Sequence, residues 1–242
     1  MSRFSRAESG MTLGEHLAEL RHRFLVISIC VSVVAILGFI FYSHLLAFLQ
    51  NPYCRASPGH CKFLVTNPLD GLNLRVKIAL FSGVVISSPV ILWEVWRFIT
   101  PGLKAKERRY AIPFVAASLC FFTAGMVLAY FSFAQAISWL KAIGGHTLLT
   151  EYNPNQYLTL FLLMLFIFGV AFLFPVVLVA LQLINVVTPK RLLKSWRYAT
   201  IIIVVVAAVI TPSSDPLSML ALAAPLVLFY FGAIGVGKLL KK

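Results

Sequence analysis

The 242-residue chain is 60% hydrophobic and only 12% charged, with a formal net charge of +13 and a mean hydropathy of +0.90. Soluble domains carry about 25% charged residues, and no soluble core could bury this much apolar surface, so the bilayer must be the solvent. The basic excess is split among short segments with no recognised binding motif, which argues against a nucleic-acid partner.

In chain order, residues 1–23 form a polar lead, 24–234 a six-span core and 235–242 a basic tail, all within one membrane domain. The first apolar run is too long for a cleaved signal peptide and no small-residue cleavage site follows it, so it reads as a retained span. Ahead of it, Leu13, Leu17, Leu20 and Phe24 recur at helical spacing, which predicts an amphipathic helix entering the membrane. Thr12 with Glu15 fits a capping box. Glu19 has no such duty, although pairing with Arg23 at i,i+4 would contribute a few tenths of a kcal/mol.

The predicted spans are Phe24–Leu49, Arg75–Phe98, Ile112–Leu140, Tyr157–Leu183, Tyr198–Ile210 and Leu217–Ile234. The first four reach the ~20 residues a transmembrane helix needs. Trp93, Trp96, Trp139 and Trp196 lie near predicted span ends, as an interfacial belt requires. Pro89 and Pro175 fall inside spans and predict kinks. The fifth and sixth runs would extend about 20 Å and 27 Å, short of a core about 30 Å thick. Their connection, Thr211 to Pro216, is therefore expected to sink towards the bilayer or to thin it.

Of the 21 Lys and Arg residues, only Arg55, Lys62, Arg75, Lys77 and Lys141 fall on the side opposite the N-terminus. By the positive-inside rule both termini are cytoplasmic, and the basic face would also attract anionic lipid. Cys30 and Cys120 sit within spans as small packing residues. Cys54 and Cys61 share the extracytoplasmic loop, and the Pro58-Gly59 turn between them permits a disulfide in an oxidising compartment. His60 beside them fits no closed zinc site.

No serine-hydrolase elbow, zinc-protease helix or phosphate-binding loop is present, so neither an enzyme nor a cofactor or metal is expected. Ionisable residues are scarce inside the spans, with His44 and Glu94 near span ends, which counts against a self-sufficient ion-coupled transporter. A six-span permease for a neutral solute is the alternative.

The cytoplasmic face carries Glu19 among Arg21, His22 and Arg23, and Glu107 among Lys104, Lys106, Arg108 and Arg109. Cationic neighbours favour the ionised form of both acids, and a carboxylate suits the planar fork of an arginine better than the point charge of a lysine. At these residues the chain resembles the TatC family of twin-arginine translocases. The resemblance rests on His16-Leu-Ala-Glu-Leu-Arg21-His-Arg23, on Ser88-Pro to Leu103 with Glu107-Arg-Arg109, on Phe168-Gly169 with Pro175, and on Thr211-Pro212 with Asp215. The resemblance implies a concave, glove-like arrangement of six helices that binds twin-arginine signal peptides through Glu19 and Glu107, assisted by Arg21 and Phe98. It further implies an oligomer in the plasma membrane that recruits single-span TatA- and TatB-type partners to export folded proteins with the proton-motive force. Leu173 and Met219 stand where many family members carry Glu and Gln, which bears on partner docking. Asp215 reads both as an N-cap before Pro216 and as a polar group at a partner-helix site.

Overall fold

The computed structural model describes residues 13–56, 67–99, 111–144, 153–212 and 215–240, and every regular element among them is a helix. These are α1 (Leu13–Ile40), α2 (Tyr42–Ala56), α3 (Asp70–Ile86), α4 (Ser88–Ile99) and α5 (Ala111–Gly144), followed by α6 (Pro154–Ala171), α7 (Phe174–Leu183), α8 (Pro189–Lys194), α9 (Trp196–Ile210) and α10 (Pro216–Leu240). Four stretches are long and apolar enough to cross a membrane: Leu17–Ile40, Ala111–Leu140, Pro154–Leu183 and Pro216–Leu239. The bent pair α3–α4 would count as a fifth, and α9 is a shorter apolar helix. Lipid is the solvent that such surfaces need: Val209 is 79% exposed and Ile112 69%.

The breaks follow backbone chemistry. α1 is continuous from the amphipathic entry into the apolar run, then stops at Phe41, so the single predicted span 24–49 is two helices. α3 and α4 meet at Ser87 with a bend of 53°. Pro89 has no N–H to offer the carbonyl one turn back, and its ring crowds that turn. Pro175 does the same between α6 and α7, where Phe172 and Leu173 form the turn.

The final helix corrects an expectation. α10 has 25 residues, about 38 Å at the helical rise, and is long enough to span. The predicted run ends at Ile234, yet the helix continues through Gly235, Gly237 and Lys238. α9, with 15 residues, reaches only about 22 Å, so the short helix is the fifth predicted span alone.

The core centres on α5 and α6. Phe133 stacks on Phe161 with centroids 4.5 Å apart, and Tyr157 packs edge-on against Tyr53 of α2 at 5.3 Å. Leu158, Phe161, Met164 and Phe168 along α6 are wholly buried. Gly125 makes the approach possible: a Cβ there would lie 2.5 Å from the Phe168 carbonyl oxygen, which is backbone and cannot rotate away. Small residues at such crossings let membrane helices gain packing contacts that hydrophobicity alone does not supply. Elsewhere, Gln182 of α7 is buried and donates Nε2 to the Ala233 carbonyl of α10 at 3.0 Å. Its amide fills the space a side chain at Gly237 would occupy.

Cys54 is disulfide-bonded, and Cys61 lies outside the described residues. Cys30 and Cys120 are free. Cys30 is half-buried with its thiol 3.5 Å from the Ser87 hydroxyl, whereas Cys120 faces outward rather than packing inside.

Replacing Gly125 with Val should lower stability by about 1–3 kcal/mol through overpacking against backbone. Gly232→Ala, which meets open space, should be near neutral. Thermal unfolding in detergent compares the two, and equal midpoints would refute the close-packing argument.

Candidate functional site

The N-terminal turns of α1 and the far half of α4 meet at one end of the helix assembly. Glu19 and Arg23 lie one turn apart on α1, and the Arg23 guanidinium makes an ion pair with Glu19 through Nη2. Through Nη1 it donates to Glu94 Oε2 of α4 at 3.0 Å and approaches the Glu94 main-chain oxygen at 3.5 Å. Arg23 is only 9% exposed, and the Glu94 and Glu19 side chains are 12% and 21% exposed. Two carboxylates thus share one guanidinium. A half-buried charge of this kind persists only when it is well paired.

α4 is held for this role from its other face. Trp96 is buried, donates its indole N–H to Ser118 of α5 at 2.9 Å, and packs on Phe114 with centroids 4.8 Å apart. Leu92 is buried one turn earlier, so the apolar stripe of α4 faces α5 while Glu94 turns towards α1. Phe98 is half-buried at the end of α4, and Arg21 is exposed on α1. Glu107, the second acid of the sequence-predicted pair, lies outside the described residues.

Sequence reading weighed a Glu19–Arg23 pair as a competing explanation, and the geometry contains it. What it missed is Glu94 as the second partner of that arginine. The signal was available: Glu94 is the lone acid of its predicted span and needs a cation, and Arg23 lies at the edge of the first predicted span.

At the opposite end α3 and α6 are clamped by polar groups. Asp70 is buried and accepts from the Asn153 amide at 3.0 Å, the Asn155 amide at 3.2 Å and the Asn67 backbone N–H at 3.2 Å. Lys77, inside α3, donates to Asn155 Oδ1 at 2.5 Å and Thr159 Oγ1 at 2.7 Å. Asn153 also caps α6 by accepting from the Asn155 N–H at 2.8 Å. Arg75 extends over the Tyr42 ring, 4.9 Å from its centroid. The Lys77 bonds satisfy an ammonium that lies near the start of the second predicted span.

A third polar group lies at the start of α10. Asp215 is buried and accepts from the Ser218 backbone N–H at 2.7 Å, an N-cap bond. Beside it, Thr211 Oγ1 returns its hydrogen to the Ala207 carbonyl at 2.6 Å. Among the described residues no group of three or more His, Cys, Asp or Glu could hold a metal ion.

Apolar helices long enough to cross a membrane, together with a bent pair, define a multi-pass α-helical membrane protein. Residues 15–225 match the family of Sec-independent protein translocase proteins, TatC. A TatC from Frankia casuarinae is 39% identical over 95% of this chain, which spans 66% of that protein's length. A TatC from Xylanimonas cellulosilytica is 37% identical over 93% of this chain and 83% of its own. A crystal structure of the twin-arginine translocase receptor TatC superposes with a TM-score of 0.78 at 33% identity, covering 94% of this chain and 100% of that one. The chain belongs to the TatC family, and it is a protein-translocase subunit.

Asp70→Ala would strand the Asn153 and Asn155 amides and loosen the α3–α6 clamp. Buried unsatisfied donors cost about 1–3 kcal/mol, so the thermal midpoint in detergent should fall clearly. An unchanged midpoint would show that the cluster is incidental to stability.

Proposed function

We propose that the chain is the signal-peptide receptor subunit of a twin-arginine translocase. The observation that carries this is the ion pair of Glu19 with a guanidinium in the N-terminal turns of α1. This carboxylate, set among Arg21, His22 and Arg23, already accepts the chemical group that such a signal peptide presents. In this reading Glu19 and Glu107 hold the two arginines, and Arg21 and Phe98 line the approach. Asp215 combines its capping role with a place near the partner-helix site, where Leu173 and Met219 set partner preference.

The same reading makes the chain one six-span domain of the plasma membrane, counting α3–α4 and α9 as spans, with both termini cytoplasmic and a concave, glove-like surface. TatA- and TatB-type single-span subunits and anionic lipid are its partners in an oligomer, and the proton-motive force supplies the energy. Cys54 pairs with Cys61 on the outer side.

A synthetic peptide bearing Arg-Arg should co-purify with the protein, and the same peptide bearing Lys-Lys should not, since lysine cannot form the bidentate contact. Ala at Glu19 or Glu107 removes charge-assisted hydrogen bonds worth about 1.5–3 kcal/mol, roughly ten- to a hundredfold in affinity, while membrane insertion is retained. Normal peptide binding by the double variant would refute the receptor assignment. A solute permease would bind both peptides alike or neither.

The cystine is tested by alkylating protein from its native membrane without reduction. A peptide linking Cys54 to Cys61, released only by reductant, is the expected result. Alkyl adducts on both residues would exclude it.

A further inference from the structure

Resting on the receptor reading, we infer that Arg23 is a resident stand-in for a ligand arginine, and that Glu94 is the positioning residue that lets Arg23 yield Glu19 to an arriving guanidinium. Arg23 divides its guanidinium between two carboxylates that differ in access. Glu19 is the more exposed, while Glu94 is nearer burial and offers both its side-chain oxygen at 3.0 Å and its main-chain oxygen at 3.5 Å. The grip is also incomplete, because Arg23 Nε is buried without a hydrogen-bond partner in the structure.

A cationic ligand arriving from water meets Glu19 first. If it takes that carboxylate, Arg23 keeps the Glu94 pair, so no buried charge is stranded. Leaving a buried charge without its partner is what makes breaking such pairs costly. The exchanged state has one guanidinium for each of the two carboxylates, and the fork geometry favours an arriving arginine over a lysine.

Without the Glu94 charge, Arg23 would keep Glu19 as its sole carboxylate among the described residues and would compete with the ligand for it. Glu94 therefore acts through Arg23, not by touching the ligand, and the predicted genetics differ from those of a contact residue. Binding of a synthetic Arg-Arg peptide to the full-length protein in nanodiscs is measured for Glu94→Gln, Glu94→Asp, the pair Arg23→Gln with Glu94→Gln, and Glu19→Ala.

Glu94→Gln should bind at least roughly tenfold more weakly, about 1.4 kcal/mol. Removing Arg23 in the same background should restore affinity to within about threefold of the parent, because the competitor is gone. Glu94→Asp, which keeps the charge, should also stay near the parent. Parental affinity in Glu94→Gln overturns the inference. So does equal weakness of the Gln and Asp variants, or a folded double variant no better than Glu94→Gln, since a purely structural Glu94 predicts that pattern. Loss of binding in Glu19→Ala with parental binding in Glu94→Gln would leave the receptor reading intact and remove this inference alone. Parental binding in Glu19→Ala would remove the receptor reading itself.

Discussion

The rest of the structure depends on the close crossing of α5 and α6, where Gly125 lies against the backbone of Phe168. Within lipid, apolar side chains gain little from leaving the solvent, so helices are held by fit and by polar contacts. The α5–α6 pair supplies the fit through Phe133, Phe161 and Phe168. α2 then packs through Tyr53, α3 through Leu74 and Ile78, and α10 through Leu222, Leu226 and Tyr230, all in the same buried cluster. α4 is seated on α5 by Trp96, and α1 is joined to α4 through Arg23. The Arg23 end of the assembly thus inherits its geometry from the α5–α6 crossing.

Polar interactions complete what packing begins, and they sit where the helices meet water or each other's breaks. The Asp70 cluster ties α3 to α6 at one end, and the Arg23 triad ties α1 to α4 at the other. Neither cluster adds a charged group to the centre of a span. Each is the kind of fully engaged group that hydrocarbon tolerates, since an isolated carboxylate or ammonium there would be expensive.

Much of this was legible in the sequence, because hydropathy reports burial in lipid directly. The apolar runs marked the membrane segments, and Pro89 and Pro175 marked the bends. Legibility failed where one residue had to be weighed against a long-range partner. The sixth predicted span ends at Ile234, yet the helix runs on through Gly237, which packs against Gln182. Phe41 interrupts a helix with no proline or glycine at the break itself. Lys77 reads only as a basic residue at the outer start of the second predicted span, whereas its engagement with Asn155 and Thr159, roughly eighty positions away, needed the α3–α6 contact to be known. Glu19 was legible as a carboxylate for a guanidinium from its neighbours alone, whereas the role of Glu94 required knowing that α4 crosses α1. The motifs of the resemblance placed the family, which the matching of residues 15–225 established.

The contact between Gln182 and Gly237 carries a consequence for how such sequences diverge. The amide occupies the volume of any Cβ at position 237 while its Nε2 holds the Ala233 carbonyl. A side chain at 237 would oblige that amide, the free end of a flexible side chain, to swing aside and release the Ala233 carbonyl. A smaller residue at 182 would leave a void and the same carbonyl short of its donor. The two positions are therefore coupled through one hydrogen bond, despite standing 55 positions apart in the chain.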